Sequence, residues 1–312
     1  MSALPGYGTA DVPVRGGVLR VGVWGPGDPD APTVLAVHGI TASHRAWGLV
    51  ADALPGVRLI APDLRGRGRS NGLPGPHGMP AHADDLAAVL EHFGAGPVPV
   101  VGHSMGAFAA LVLAHRRPDL VETLLLVDGG LPLVVPAGLD DEGIVQAVLG
   151  PAAERLAMEF ADLDAYRDYW AAHPAFAGHW NDLVEDYVAY DLRGEPPHLR
   201  ASTSYGALAE DTAELHGGSS LAAALEGLAR PALLLRSPRG LLNQEPGLFT
   251  ADYVRQWADR LPRLRFRDVA DTNHYTIIMD HPGAAAVAAE VRTLLDGGRD
   301  AAAAGSTTTG GH

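Results

Sequence analysis

The sequence contains no cysteine and no lysine, so all 23 basic residues are arginine. Without cysteine there are no disulfides, no thiolate metal ligands and no cysteine nucleophile. Without lysine, Schiff-base chemistry, a Walker-type phosphate loop and a Ser-Lys pair are excluded. No apolar run approaches the ~18 residues that a membrane span needs, although 47% of the 312 residues are hydrophobic. We therefore expect a large apolar core and no membrane partner.

The formal net charge of −14 disfavours binding to nucleic acid or to anionic membranes. A small, neutral or weakly polar molecule is the expected substrate. The first eight residues lack the basic and apolar regions of a secretory signal, so we expect a cytoplasmic location. The histidines show no metal-binding spacing, and we expect neither a metal nor another cofactor. A homodimer is left open.

Short apolar runs alternate with helical patterns up to about residue 130, which predicts a parallel sheet covered on both faces. The alternation stops between residues 131 and 230, where only helical patterns are found, and resumes at residue 231. The sequence thus predicts an α/β core from 1–130 and 231–296, interrupted by a helical cap from 131–230. The Gly-, Ala- and Thr-rich residues 297–312 are expected to form a disordered tail.

Ser104 is the strongest candidate for a catalytic side chain. It lies in Gly102-His103-Ser104-Met105-Gly106, after a valine-rich run and before an Ala/Leu-rich helical pattern. Gly-x-Ser-x-Gly between a strand and a helix is typical of a sharp turn that exposes a nucleophilic serine. The helix N-terminus behind the serine favours negative charge that develops during the reaction.

Four motifs in order give a family resemblance: His38-Gly39 after an early strand, the serine turn, the insertion, and His274 after the last strand. The chain resembles the α/β-hydrolase superfamily from about Gly17 to Leu295, in particular its capped serine esterases and cofactor-free haloperoxidases. The resemblance implies a mostly parallel sheet flanked by helices, with the cap inserted after the strand that ends near Asp128.

The same resemblance implies roles for individual residues. His274 would be the base that activates Ser104. The backbone N–H groups of Ile40 and Met105 would form the oxyanion hole. His38 is expected to shape the oxyanion loop, and His103 to pack beside the nucleophile.

The acid of the triad is less clear. Most relatives carry it after the strand that follows the cap, but residues 236–245 contain no aspartate. Some relatives place the acid one strand earlier, where this chain has Asp128. Glu245 is the alternative acid, and a serine–histidine pair without an acid is a third reading.

A serine nucleophile indicates acyl transfer, because attack on a saturated carbon would end in an inert ether. We therefore expect hydrolysis of an ester, lactone or thioester of a small to medium hydrophobic molecule. The alternatives are a cofactor-free perhydrolase or oxygenase, and a small-molecule receptor with little turnover.

Two further expectations concern side-chain environments. The loop of residues 62–70 is predicted to be a turn with solvated arginines. The aromatic residues of the cap could line a pocket over the serine or form the core of the cap itself. They are Tyr166, Tyr169, Trp170, Phe176, Trp180, Tyr187 and Tyr190.

Overall fold

A computed structural model describes residues 6–136 and 138–306. Its strands are β1 (Gly8–Val14), β2 (Gly17–Trp24), β3 (Thr33–Val37), β4 (Arg58–Pro62), β5 (Val98–His103), β6 (Val121–Val127), β7 (Leu192–Arg193), β8 (Arg200–Ala201), β9 (Ala232–Arg236) and β10 (Leu264–Asp268). All except β7 and β8 join one sheet in the order β1-β2-β4-β3-β5-β6-β9-β10. Strand β2 runs antiparallel to both of its neighbours, and the other pairs are parallel.

The helices are α1 (Gly48–Asp52), α2 (Met79–His92), α3 (Met105–Arg116), α4 (Asp141–Leu149), α5 (Pro151–Ala157), α6 (Leu163–Ala171), α7 (Asp182–Asp191), α8 (Tyr205–Glu214), α9 (Ser219–Glu226), α10 (Ala251–Arg260), α11 (Thr276–Met279) and α12 (His281–Ser306). Every residue of β3, β4 and β5 is buried. One apolar cluster joins α2, α3 and α9 to the sheet, and a second joins α1, α11 and α12. The prediction of a mostly parallel sheet flanked by helices is confirmed.

Three details of the secondary structure differ from the expectation. Strand β1 lies outside β2 at one edge of the sheet, where no strand was predicted. The pair β7–β8 adds two short strands where none was expected. Helix α12 continues to Ser306, so residues 297–306 of the expected disordered tail are helical. The rest of that tail, residues 307–312, lies outside the described residues.

Helices α4 to α9 and the β7–β8 pair lie between β6 and β9 in the chain. We call residues 131–230 the inserted segment. Four of its aromatic residues are fully or almost fully buried in one apolar cluster: Tyr166, Trp170, Phe176 and Tyr187. These rings belong to the apolar cluster that joins α1, α11 and α12 to the sheet, so they do not form a separate core of the inserted segment. Of the seven aromatic residues, Tyr187 also lines the cavity described below.

The prediction of solvated arginines in the loop of residues 62–70 is wrong for two of them. Arg65 and Arg67 are fully buried. Arg65 forms an ion pair with Asp85 of α2, and Arg67 forms one with Asp211 of α8. Burying a guanidinium is costly unless it is paired and hydrogen-bonded, and these carboxylates meet that need.

Within the described residues, none of the helices has the length and apolar character required to cross a membrane.

Candidate active site

Ser104 lies at the turn between β5 and α3, with φ 53° and ψ −126°. Positive φ is uncommon for a residue with a side chain and stores strain at this position. The turn leaves no room for a Cβ at Gly106, because that atom would lie 2.0 Å from the carbonyl oxygen of Val37. The sequence pattern around Ser104 therefore follows from the packing of this turn.

His274 is in the short loop between β10 and α11, and its side chain is buried. Its Nδ1 lies 2.7 Å from Oδ2 of Asp128, at the end of β6. A carboxylate accepts this hydrogen bond, so Nδ1 carries the proton and Nε2 of the neutral ring is free to accept one. Ser104 and His274 line the same cavity.

Asp128 is fully buried and uses both carboxylate oxygens. Oδ2 binds His274, and Oδ1 accepts a hydrogen bond from the backbone N–H of Ser237 at 3.0 Å. Ser237 belongs to the stretch after β9 in which most relatives were expected to carry the acid. Glu245 is exposed at the end of that stretch, while Asp128 occupies Nδ1 of the imidazole.

Neighbouring residues hold the loop of His274 in place. Nε2–H of His103 donates to the carbonyl oxygen of His274 at 2.8 Å. Oδ1 of Asn273 accepts from the backbone N–H groups of Tyr275 and Thr276, both at 2.9 Å. Nδ2 of Asn273 donates to the carbonyl of Ala175 in the inserted segment at 2.9 Å.

Ile40 and Met105 both line the cavity, and each has a backbone N–H group. Among the hydrogen bonds of the described residues, neither group donates to a protein acceptor. Met105 is the first residue of α3, and the first N–H groups of a helix have no partner inside it. Donors in this arrangement can stabilise an oxyanion.

His38 orients the N–H of Ile40. The backbone N–H of Leu64 donates to Nε2 of His38 at 2.9 Å, so Nδ1 carries the proton and donates to the carbonyl oxygen of Gly39 at 2.8 Å. That carbonyl shares a peptide plane with the Ile40 N–H, which points to the opposite side. Burial lowers the pKa of His38 to about 4 and keeps the ring neutral.

Two buried arginines hold the next carbonyls of the same loop. Nε of Arg67 donates to the carbonyl of Ile40 at 2.9 Å. Nη2 of Arg155 lies 3.4 Å from the carbonyl of Thr41. Arg155 belongs to α5 of the inserted segment and is paired with Asp191. Three successive carbonyls, those of Gly39, Ile40 and Thr41, are thus bound by side chains. We call residues 39–41 the oxyanion loop, after the role expected of it.

The cavity spans about 680 Å³, including space that is open to solvent, and extends from Ser104 to the inserted segment. Its wall is mostly aliphatic and includes Phe108, Leu133, Val148, Leu149, Leu215 and Leu248. A second cavity of about 550 Å³, which also includes space open to solvent, adds the polar side chains of Gln146, His173 and Gln244. It shares five lining residues with the first cavity: Val148, Leu149, Ala152, Leu241 and Tyr275. The two cavities are neighbours, with the more polar one farther from the nucleophile.

Residues 32–281 match the family model described as "alpha/beta hydrolase fold". The chain belongs to the α/β-hydrolase family.

Named relatives include lipases and esterases. Lipase LipV of Mycobacterium tuberculosis is 36% identical over 196 residues, which cover 54% of this chain and 73% of LipV. The bifunctional esterase/perhydrolase DCH of Acinetobacter calcoaceticus is 33% identical, over 43% of this chain and 49% of DCH. A 3-hydroxybutyrate-oligomer hydrolase of Cupriavidus necator is 34% identical, over 46% of this chain and 50% of that protein. The chain thus spans about half the length of the last two.

Solved structures show the same fold at low sequence identity. E-2-(acetamidomethylene)succinate hydrolase superposes with a TM-score of 0.74 at 22% identity, over 93% of this chain and 99% of that one. The thioesterase domain from the curacin biosynthetic pathway gives a TM-score of 0.72 at 21% identity, over 91% and 99%.

The sequence did not reveal the two arginines that bind the carbonyls of the oxyanion loop. Arg67 and Arg155 contact the oxyanion loop, but their carboxylate partners, Asp211 and Asp191, are in the inserted segment. For Arg67 the partner is more than one hundred positions away in the chain. No local motif signals such a pair.

The buried neutral histidines predict how stability depends on pH. Burial lowers the pKa of His38 to about 4 and that of His103 well below its ordinary value, and the nearby His274 lowers the latter further. In the unfolded chain a histidine titrates near 6.5, so between about pH 6.5 and 4 the unfolded state binds more protons. Within this window, the free energy of unfolding should fall by about 1.4 kcal/mol per histidine for each unit by which the pH is lowered.

Urea unfolding at pH 7.5, 6.5, 5.5 and 4.5 measures this slope. A His103→Asn variant should show a smaller slope than the wild type, by about one proton per molecule, since it removes one of the histidines whose pKa is lowered. Unfolding free energies that stay level or rise from pH 6.5 to 4.5 would contradict the neutral, buried state of these rings.

Proposed function

We propose that this protein hydrolyses a carboxylic ester or lactone of a small to medium uncharged hydrophobic molecule through an acyl-enzyme on Ser104. One observation carries the proposal. Ser104, the Asp128-bound His274, Ile40 and Met105 line a single apolar cavity, and among the described residues the backbone N–H groups of Ile40 and Met105 have no protein acceptor. Nucleophile, base, acid and oxyanion donors are the parts that acyl transfer by a serine requires.

In the first half-reaction, Nε2 of His274 takes the proton from Oγ of Ser104 as Oγ attacks the carbonyl carbon of the substrate. The negative charge on the carbonyl oxygen is bound by the N–H groups of Ile40 and Met105. Asp128 stabilises the imidazolium. The proton then passes from Nε2 to the leaving alcohol oxygen, which completes the acyl-enzyme.

In the second half-reaction, water takes the place of the alcohol. Nε2 of His274 accepts a proton from the water as its oxygen attacks the acyl carbon. Collapse of the tetrahedral intermediate breaks the bond to Oγ of Ser104, and Nε2 returns the proton to that oxygen. The carboxylic acid leaves and the enzyme is restored.

The named relatives support hydrolysis of ester bonds as the general activity. Their names describe a lipase, an esterase/perhydrolase and a hydrolase of 3-hydroxybutyrate oligomers. The substrates differ among them, so the relatives support the bond that is cleaved rather than one substrate.

The lining of the two cavities supports an uncharged substrate. In the described part of the chain, no Asp, Glu or Arg side chain lines either cavity. A charged acyl group would lose its hydration without gaining an ion-pair partner. Aliphatic walls favour an alkyl or similarly apolar acyl chain.

A pair of esters of matched length tests this preference. The butyryl and hemisuccinyl esters of p-nitrophenol both have a four-carbon acyl chain, but the second ends in a carboxylate. We expect kcat/KM for the butyrate to exceed that for the hemisuccinate by about 100-fold, because the carboxylate would be buried unpaired. Nitrophenol release measures both reactions.

The Ser104→Ala variant is the control for this comparison and should release nitrophenol from neither ester above the rate in buffer. Equal kcat/KM values for the two esters, or a preference for the hemisuccinate, would contradict an uncharged substrate. Butyrate hydrolysis by the alanine variant would contradict the mechanism instead.

The two candidate acids differ in their expected effects. Asp128→Asn should lower kcat by about 10⁴-fold, because an amide cannot stabilise the imidazolium and favours the wrong tautomer of His274. Glu245→Gln should change kcat less than twofold, since this side chain is exposed. Steady-state kinetics on the same ester compares them, and a severe loss in Glu245→Gln alone would assign the acid to Glu245.

A further inference from the structure

Arg67 lies between the oxyanion loop and the inserted segment with no exposed surface. Its guanidinium contacts both Ile40 and Met105, which line the cavity. Nε donates to the carbonyl of Ile40 at 2.9 Å, and Nη2 lies 3.9 Å from Sδ of Met105. Nη1 donates to the carbonyl of Arg65 at 2.9 Å, which fixes the plane of the guanidinium against its own loop.

Asp211 of α8 supplies the negative charge that Arg67 requires. This carboxylate is also fully buried, and it accepts hydrogen bonds from the backbone N–H of Gly78 at 2.6 Å and from Nε2 of His82 at 3.0 Å. Burial opposes its ionisation, but Arg67 and His82 outweigh burial and hold the pKa of Asp211 below its ordinary value. The pair is therefore ionic, with every group in a fixed place.

The two peptide planes that meet at Cα of Ile40 are held by different side chains. His38 binds the carbonyl of Gly39 and thereby orients the plane that carries the Ile40 N–H. Arg67 binds the carbonyl of Ile40 and orients the next plane. Without the hydrogen bond from Arg67, the second plane is free to rotate about the bonds of Ile40. Because the two planes share Cα of Ile40, this rotation also displaces the Ile40 N–H from its direction into the cavity.

We propose that Arg67, held by Asp211 of the inserted segment, is a positioning residue that keeps the Ile40 N–H directed at the oxyanion. This role rests on the proposed ester hydrolysis. The inserted segment then acts in catalysis as well as in enclosing the cavity, because Asp211 of α8 fixes the arginine. Since a displacement of about 1 Å in such a site can cost roughly 100-fold in rate, the effect should be visible in kcat.

Arg65 offers a matched control from the same loop. It is equally buried and forms an ion pair with Asp85 through Nε at 3.0 Å and Nη2 at 2.7 Å. The remaining hydrogen bond of its side chain, from Nη1 to the carbonyl of Pro74 at 2.7 Å, is not with the oxyanion loop. Arg65 meets Arg67 only through its backbone carbonyl, which a substitution of the side chain leaves in the chain. If buried arginine–carboxylate pairs only stabilise the fold, substitution of either arginine should have the same effect on kcat.

The experiment compares Arg67→Met and Arg65→Met with the wild type on p-nitrophenyl butyrate. Each variant breaks one buried ion pair, so both should lower the melting temperature. Arg67→Met should lower kcat by about 10- to 100-fold with KM changed less than about threefold, whereas Arg65→Met should keep kcat within about twofold.

Butylboronic acid gives a readout that a loss of stability alone would not change. Its tetrahedral adduct with Ser104 places an oxygen in the oxyanion position, as a transition-state analogue does. Its inhibition constant should rise in Arg67→Met by about the same factor as kcat falls, and should stay near the wild-type value in Arg65→Met. The pH profile of kcat/KM should keep its shape in both, because neither arginine touches His274.

Equal kcat and boronate inhibition in the two methionine variants would overturn the positioning role and leave ester hydrolysis intact. Absence of Ser104-dependent hydrolysis in the wild type would overturn the proposed function, and the positioning role with it. If Arg67→Met does not fold, Arg67→Lys and Arg65→Lys replace the pair. Lysine keeps the charge beside Asp211 but lacks the fork that also reaches Ile40, so the same difference in kcat is expected.

Discussion

The geometry of the site depends on three backbone segments that meet at Ser104 without room for a Cβ between them. A Cβ at Gly106 would lie 2.0 Å from the carbonyl oxygen of Val37, and one at Gly129 would lie 2.2 Å from that of Ser104. Strand β3, the β5–α3 turn and the end of β6 are thereby fixed relative to one another. Because Ile40 follows β3 and Asp128 follows β6, the backbone of the sheet fixes the places of the residues to which we assign the oxyanion donors, the nucleophile and the acid.

Buried charge is the second constraint on the site. Side chains donate hydrogen bonds to the carbonyls of Gly39 and Ile40, while the N–H of Ile40 donates to no protein acceptor among the described residues. The arginines that bind these carbonyls need carboxylates in the same dry environment, and the inserted segment supplies them through Asp211 and Asp191. The segment between β6 and β9 therefore contributes apolar walls to the cavity and countercharges to the loop beneath it.

Much of the fold and of the candidate site could be predicted from patterns confined to a few neighbouring residues. Alternating strands and helices predicted the sheet, and the turn around Ser104 is set by its glycines. Strand β1 was missed because only Val12 of its residues is buried, which leaves no apolar pattern. Arg65 and Arg67 were assigned to solvent because arginine usually lies there, and their partners are distant in sequence. Whether the aromatic rings of the insertion face a cavity or each other depends on packing between helices, which the sequence does not reveal.

The central claim is that Ser104 is the nucleophile of an esterase, and an organophosphate tests it most directly. Diethyl p-nitrophenyl phosphate should release one nitrophenol per protein molecule and transfer one diethylphosphoryl group to the protein. After cleavage at arginine, that group should be found on the peptide of residues 70–116, which contains Ser104. Hydrolysis of p-nitrophenyl butyrate should be lost in proportion to labelling. Ser104→Ala should show neither adduct nor hydrolysis. Ester hydrolysis that continues in the fully labelled protein, or in the alanine variant, would contradict the account.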